Sequence, residues 1–569
     1  MDELDSRWND SFVSGYRTAD VFTPEDFSEE EQLISKTTEL FVRNEVMPLI
    51  ELIDQQDHEK VKRLFQEAGS LGLLSIEVPE EYGGLSLNKK LSGLVAEKMG
   101  AGGSFSVSFN IHAGVGTLPY VYYGTEYQKQ KYLPKLVSGE WIGAYALTES
   151  NAGSDALNAK TTASLNESGT AWILNGEKQW ITNAQVADVY VVFAKTNEGM
   201  TAFIVERSFK GVSIGPEEKK MGIKGSSTAT VNLEDVSVPI ENVLGDVGKG
   251  HNVALNILNM ARLKLAFSNI GTSKQALKIA LTYAKQRKQF DMAIITFSMI
   301  QEKIADMAIS IYGAESSAYR TADDLDHVFD SSNPLGIKLN ELKNFSTECA
   351  INKVNCSEVL DRIVDEAVQI HGGYGYMQEY EVERLYRDAR ISRIFEGTNE
   401  INRLTIAKNL IKNAQKNKKN TDNQINNQET RYRQFIKLSK LLLDKTLEAL
   451  TNSTININQE QEYSRLLADI KKEIYVMESA VIRTEKALQK SKPNKEQIKE
   501  LMTNVICEEG YRKIEGLVVS VLSGIEVNEA KRKQILDEIR SLPAPLFSNL
   551  FTQKREIAER MGVYEKYIV

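Results

Sequence analysis

The apolar residues of this chain change their period twice, and that alternation limits the possible folds more than any other feature. From about Phe27 to Leu136 they recur at three and four, as in Leu33, Ile34, Leu40, Phe41 and Val46, then Val61, Leu64, Phe65 and Leu71. Such spacing lines one face of a helix. The run from Val78 to Gly84, VPEEYGG, interrupts it, because Pro and paired Gly both end helices. A helix is expected from Asn88 through Met99, a break of small residues at Gly100 to Ser104, and more helix to about Tyr123. Three later runs, from Asp188 to Lys195, Thr201 to Glu206 and Thr228 to Glu234, are short, β-branched and bounded by turn residues, as strands of a small sandwich or barrel are. Helical spacing returns beyond Gly250, with long segments around Ala254 to Gln286, Phe297 to Ala322 and Leu335 to Gln369, and holds to about Lys412. The stretch NAQKNKKNTDNQINNQ, Asn413 to Gln428, is nearly free of apolar residues and reads as a linker or disordered bridge. Helices follow it from Tyr432, from Leu466 and, after Ser491-Lys-Pro-Asn494 with Gln497 three on from that cap, from Ile498 to Val521. The chain is therefore expected to be a multidomain α+β protein: helical over 1–144, β over 145–245, helical over 246–412, a linker over 413–428 and an all-helical extension over 429–569.

Composition narrows the function. With 569 residues, 42% hydrophobic and 26% charged, the chain can fill three or four cores. A net charge of -9 argues against a nucleic-acid binder with a basic surface. Cys349, Cys356 and Cys507 make neither a disulfide framework nor a zinc spacing, which suits a reducing compartment. His58, His112, His251, His327 and His371 never pair at metal-ligand intervals, so no metal is expected. The start, MDELDSRWNDSF, is acidic and lacks an apolar h-region, and no run approaches the roughly 18 apolar residues of a membrane span. A cytoplasmic location is the expectation.

The chemistry is expected in RLYRDARISRIFEGTNEINR, Arg384 to Arg403, where Glu396 stands between Phe395 and the turn-permissive Gly397-Thr398. A carboxylate in a loop between two helices, held against aromatic surface, loses hydration; its pKa rises and it can take up a weakly acidic proton. The same residue types also serve as a plain helix terminus. Two other stretches can be set aside. Gly245-Asp-Val-Gly-Lys-Gly250 has the wrong glycine spacing for a phosphate loop and no Ser or Thr after its Lys. No GxGxxG follows a strand, so a Rossmann nucleotide site is not supported.

Five further motifs accompany Glu396. They are YALTESNAGSD (Tyr145 to Asp155), Trp180-Ile181-Thr182 within GEKQWITNA, Asn259-Met-Ala-Arg262, Arg287-Lys-Gln-Phe290, and QIHGGYGY (Gln369 to Tyr376) with Glu379, Arg384 and Asp388 following. With the segment around Glu396, these resemble acyl-CoA dehydrogenases over about residues 30 to 412, most closely the very-long-chain branch and its bacterial counterparts, which carry a C-terminal helical extension. The resemblance implies a helical domain, a β-domain and a four-helix bundle, with FAD as cofactor. Tyr145, Leu147, Thr148, Gly153 and Ser154 would meet the isoalloxazine edge, Ser154 also facing substrate. Trp180 would cover the ring beside Ile181, with Thr182 near N5. Arg287 and Phe290 would reach the flavin pyrophosphate of a neighbouring subunit, and Gln369, Gly372, Gly373, Thr398 and Glu400 would complete the cofactor site. Asn259, Arg262 and Gly397 would border the thioester. Some branches carry the base at position 261; here it is Ala261, which leaves Glu396. In the family the carboxylate takes the pro-R α-proton while flavin N5 takes the β-hydride, giving a trans-2-enoyl-CoA. The backbone N–H at the base position and a ribityl hydroxyl polarise the thioester.

Departures from the family pattern are Asn158 after the first motif, and Asp291 and Ala293 in place of the usual Gly and Pro after Phe290. Ser106 and Asn110 align with small glycines that open the acyl pocket of the very-long-chain branch, so medium-to-long acyl chains are expected. An electron-transfer flavoprotein is the expected acceptor. The alternatives are an acyl-CoA oxidase using O2 and a non-catalytic flavin-bearing binding protein. The extension is expected to lie where a second dimer packs in shorter relatives, which favours a dimer over a tetramer, although amphipathic helices alone more often mean simple core. No nucleic-acid partner is expected, and membrane association lacks the basic amphipathic face it would need.

Overall fold

The computed structural model describes residues 20–330, 335–416, 430–491, 495–525 and 528–569. Its first unit is helical: α1 (Glu29–Phe41), α2 (Ile50–Asp54), α3 (His58–Ser70), α4 (Lys89–Met99), α5 (Ser104–Ala113), α6 (Leu118–Tyr123) and α7 (Glu126–Val137). Sequence chemistry fixes the starts of several of these. Ser28 with Glu31 and Thr125 with Gln128 form capping boxes ahead of α1 and α7, and the Asn88 side chain accepts from Leu91 N–H at the head of α4. At the VPEEYGG interruption Gly83 takes φ 84, and a Cβ on Gly84 would stand 1.9 Å from Val78 O.

The second unit is one eight-stranded sheet in the order β6-β7-β3-β2-β4-β5-β8, with β1 pairing β4 in parallel. Its strands are β1 (Gly143–Ala146), β2 (Thr162–Leu165), β3 (Ala171–Thr182), β4 (Val189–Thr196), β5 (Gly199–Glu206), β6 (Val212–Ile214), β7 (Thr228–Pro239) and β8 (Val243–Leu244). Strands β4 and β5 pair in register from Val189↔Glu206 to Thr196↔Gly199 and are buried on both faces, which explains their continuous apolar runs. Three strands were legible as such. The long β3 was not, because Asn175-Gly-Glu-Lys178 breaks its alternation where bulges shift its register against β7.

The third unit is built on α8 (Gly250–Gln286), α9 (Ser298–Asp330), the short α10 (Leu335–Glu341), α11 (Ser346–His371), α12 (Glu381–Ala389) and α13 (Asn399–Lys416). Helices α8, α9 and α11 pack along one another, and α8 also packs on α4 of the first unit. Asn259 lies in the third turn of α8, which starts at Gly250, four residues before the expected Ala254. The family-atypical turn after Phe290 closes without difficulty. Lys288–Gln289 (β9) and Met292–Ala293 (β10) form a two-residue hairpin with Phe290 and Asp291 at φ 52 and 62, the geometry of a type I′ turn.

The extension comprises α14 (Arg431–Thr451), α15 (Gln461–Lys490), α16 (Gln497–Gly524), α17 (Glu529–Arg540) and α18 (Leu550–Tyr564). Helix α13 runs into the polar stretch as far as Lys416, and the rest of that expected linker lies outside the described residues. So does Asn494, the expected cap; the residue ahead of α16 is Glu496. The extension is fastened to the body rather than appended. Helix α15 packs against α9 and α13, and α18 against α9. Arg483 donates to Glu315 of α9 (2.6 Å) and to Glu25 ahead of α1 (2.9 Å). Glu315 is also paired with Lys274 of α8 and accepts from Tyr567 Oη at 3.0 Å. Among the described residues no helix is long and apolar enough to cross a membrane.

Candidate active site

Glu396 lies in the short connection between a 3-10 turn at Arg390–Arg393 and α13. It takes φ 58, and Gly397 takes φ 82. Two left-handed residues in succession fold the chain back on itself, a conformation glycine adopts freely and glutamate only under constraint. The constraint comes from three helices. Arg262 on α8 donates from Nε to Glu396 O at 3.2 Å and from Nη1 to Asn259 Oδ1 at 2.9 Å. Lys353 on α11 donates to Gly397 O at 2.8 Å, and Asn402 gives a second bond to that oxygen at 2.8 Å.

The carbonyls of Glu396 and Gly397 are thus both held while one oxygen of the carboxylate is left free. Glu396 Oε2 is buried and has no hydrogen-bond partner among the described residues. Burial drives its pKa up to about 7 against the opposing pull of Arg262 and Lys353. The Tyr145 hydroxyl is also buried and without a partner among the described residues. Burial, and after it the Glu396 charge, raises that phenol well above its ordinary value. Two unsatisfied buried polar groups that feel each other's charge mark a place built for something the protein alone does not supply.

Strand β1, which carries Tyr145, continues into Leu147 and Thr148. Gln179 N–H donates to Thr148 O at 2.9 Å, and Lys178 Nζ bonds Leu147 O at 3.3 Å and Glu149 Oε1 at 2.7 Å. Glu149 further accepts from Thr161 N–H and Oγ1, so its carboxyl is held down to about 2, burial opposing its partners. This buried pair locks the first motif to the second. Just beyond it Trp180, at φ 57 in the bulge of β3, presents its indole 56% exposed. Ile181 is buried and paired with Ala229, and Thr182 is half-buried. Gly153 and Ser154 are exposed in the loop that follows Ala152.

A second cluster forms at the far end of α8. Tyr283 stacks on His371 (4.1 Å), and the Arg287 guanidinium lies 5.5 Å from the Tyr374 ring. Gly372, at φ 59, and Gly373 have no atom within 4 Å of where a Cβ would stand. Gln369 and Phe290 are exposed, Phe290 at 88%. From Arg262 to Tyr283 is 21 residues of one helix, roughly 30 Å at the helical rise.

Thr398 and Glu400 are at the N-terminus of α13, where Thr398 Oγ1 accepts from Ile401 N–H; the sequence assigned them to cofactor, and the bonds found here are those of a helix cap.

These features fit FAD. An exposed indole on a fixed backbone offers a stacking face for a flat ring, and the open Gly372-Gly373 backbone beside Arg287 suits a pyrophosphate. Lys178 and Lys353 were not singled out in the sequence. Lys178 stood inside a quoted motif with nothing to distinguish it from a surface lysine, and Lys353 has no local signal at all.

Four family profiles match. Acyl-CoA dehydrogenase, N-terminal domain, covers 28–140, and the middle domain covers 144–236; profiles described as the C-terminal domain cover 248–411 and 437–540. A probable acyl-CoA dehydrogenase of Bacillus subtilis is 46% identical over 96% of both chains. The chain belongs to the acyl-CoA dehydrogenase family. The mouse mitochondrial very long-chain specific acyl-CoA dehydrogenase is 43% identical over 59% of this chain and 51% of its own. A crystal structure of an acyl-CoA dehydrogenase complexed with FAD from Bacillus anthracis superposes with a TM-score of 0.94 at 44% identity, covering 99% of each chain. The protein is accordingly an FAD-dependent oxidoreductase of acyl-CoA dehydrogenase type.

Proposed function

We propose that this acyl-CoA dehydrogenase converts medium-to-long-chain fatty acyl-CoA thioesters to trans-2-enoyl-CoA, with Glu396 as the base, and passes electrons to an electron-transfer flavoprotein. One observation carries the reading: a buried carboxylate on a rigidly held backbone, its Oε2 unpartnered and its pKa near 7. Such a group is poised to gain a proton at neutral pH. Ala261 leaves no second carboxylate at the alternative position.

The residues divide the work. Arg262 and Lys353 fix the peptides on either side of Gly397. The Glu396 N–H, which donates to no group among the described residues, is then free to hydrogen-bond the thioester oxygen and stabilise the enolate as the α-proton leaves. Glu396 receives that proton and becomes a neutral acid, which its buried setting favours. The residues around Thr148 and Trp180 would hold FAD, which would supply the acceptor for the hydride leaving Cβ. Trp180 supplies a stacking face and screens one side from water. Because the Arg287–Gly372 cluster lies far from Glu396 along α8, we assign it to the cofactor of a partner copy, which makes the working unit at least a dimer. The packing of α15 and α18 on the body favours a dimer over a tetramer. For chain length, Asn110 lines a narrow cleft with Glu77 and Lys264, and its Nδ2 lies 3.4 Å from Ser106 Oγ. These side chains shorten a pocket that glycines would leave open.

The test is single-turnover flavin bleaching by acyl-CoA. Glu396→Gln should retain FAD and still show the spectral perturbation of acyl-CoA binding, while bleaching slows by at least about 10². Bleaching near the parent rate would remove Glu396 as the base. Stoichiometric peroxide from acyl-CoA and O2 without a mediator would instead make the protein an oxidase.

A further inference from the structure

We propose that Lys353 is a positioning residue for this site, clamping the loop after Glu396 and setting, through its charge, the pH at which the Glu396 carboxylate takes up a proton. The proposal rests on reading Glu396 as the base. Lys353 is fully buried, and its ammonium reaches two acceptors, Gly397 O at 2.8 Å and Asn399 Oδ1 at 2.7 Å. The first belongs to the loop that follows Glu396 and the second opens α13. Asn399 in turn donates to Ser357 Oγ (3.1 Å) and Glu358 Oε1 (3.2 Å), about one turn on along α11. The loop is therefore stitched to one face of α11, while Arg262 holds Glu396 O from α8 on the other side.

A neutral donor could have served the clamp, for Asn402 already bonds the same Gly397 oxygen. A lysine buried there carries a desolvation cost that an amide does not, so its charge calls for a separate explanation. Four charged groups face it: Glu396 and Glu400 from the loop and α13, Arg262 from α8, and Glu358 from its own helix. Glu358 is already neutralised by Arg403 at 2.7 Å and Lys472 of α15 at 3.1 Å. Glu400 is exposed to water. Arg262 is a like charge, and its side-chain bonds go to Asn259 and to a carbonyl. That leaves the Glu396 carboxylate as the group on which the lysine's charge acts undiluted.

The chemistry is consistent with this. Burial brings Lys353 down to about 7 and Glu396 up to about 7, so the two titrate over the same range and each shifts the other's proton affinity, Lys353 adding to the larger and constant pull of Arg262 on Glu396. Removing the positive charge makes Glu396 hold its proton more tightly. Less of it is then ionised at neutral pH, and the reaction's acid limb moves upward.

Infrared difference titration of the FAD-loaded enzyme between pH 5 and 9 reads the Glu396 carboxyl directly, with Glu396→Gln assigning the band. Single-turnover flavin reduction over the same range gives the kinetic limb. In Lys353→Met both midpoints should rise by about one pH unit, and the rate at pH 6 should fall roughly tenfold. Lys353→Arg keeps a charge and should hold the parent midpoint. A loop fault alone would lower the rate at every pH without moving the midpoint, and that result overturns the proposal. Should Lys353→Met fail to fold, Lys353→Gln removes the charge while keeping a donor, and a parent-like midpoint there overturns it equally. The two readings fail separately: a Glu396→Gln enzyme that still bleaches at the parent rate sinks the base, while the infrared midpoint continues to report on the lysine.

Discussion

At the scale of single residues, the conformation of Glu396 and its protonation belong to one design. A non-glycine residue at φ 58 costs of order 1 to 3 kcal/mol and persists only where its surroundings over-determine it. Here Arg262, Lys353 and Asn402 do so. The buried carboxylate adds a pH-dependent cost. Its folded pKa, about 7, is raised from 4.5, so between those values the folded state binds more protons than the unfolded chain, and stability falls as pH rises through that window. The difference is on the order of 3 kcal/mol. Glu396→Gln removes the titration, so the FAD-loaded variant should melt above the parent at pH 8, the gap closing by about pH 5; equal melting temperatures at pH 8 would contradict it. Sequence carried the site this far, because a Glu before Gly-Thr among the other motifs pointed to the base and Ala261 excluded the rival position. Lys353 was illegible. Its importance comes from where α11 meets the loop, a contact 44 positions apart in the chain.

Among the elements, legibility followed how cleanly each kept its period. The helices of the first and third units kept theirs, and their extents were close to those expected. Strand β3 lost its alternation at Gly176 and Lys178, where bulges turn Trp180 outward, so the residues that spoiled the strand pattern are the ones that make the stacking face. The docking of α5 on the sheet was hidden for another reason, since it uses polar residues buried in a largely apolar helix, Ser108 and a histidine among them. His112 accepts from Gly143 N–H at 3.0 Å and, as the Nε2–H tautomer, donates to Leu136 O at 2.9 Å. Burial lowers its pKa to about 4. Below pH 6.5 the unfolded chain takes up a proton that the folded protein refuses, so stability is lost as pH falls from about 6.5 toward 4, by on the order of 3 kcal/mol. His112→Gln can keep one donor and one acceptor without a proton to gain. Its denaturant midpoint should fall less than the parent's between pH 7 and 4.5, and an identical loss would show that His112 does not carry this term.

For the whole molecule, the proposed dimer turns on the extension. Light scattering should give a mass near twice 63.8 kDa for the FAD-loaded protein, and four times that value would reject the dimer. The helical period of the extension was plain in the sequence, but its seat on α9 and α13 was not, because an amphipathic face does not name what covers it. The contacts of Glu315 extend that point into time. Its carboxylate sits in the middle of the catalytic body, yet its partners Arg483 and Tyr567 follow it by 168 and 252 residues. At a synthesis rate of about 5 to 20 residues per second, the first of those gaps alone is roughly ten to thirty seconds on the ribosome. Throughout that interval Lys274 is the ion-pair partner available to Glu315 from the chain already made, and the faces of α9 that α15 and α18 cover stand open to water. The catalytic body of this enzyme can therefore reach its final packing only late in its own translation, and it depends until then on whatever in the cell keeps an exposed helical face from sticking to its neighbours.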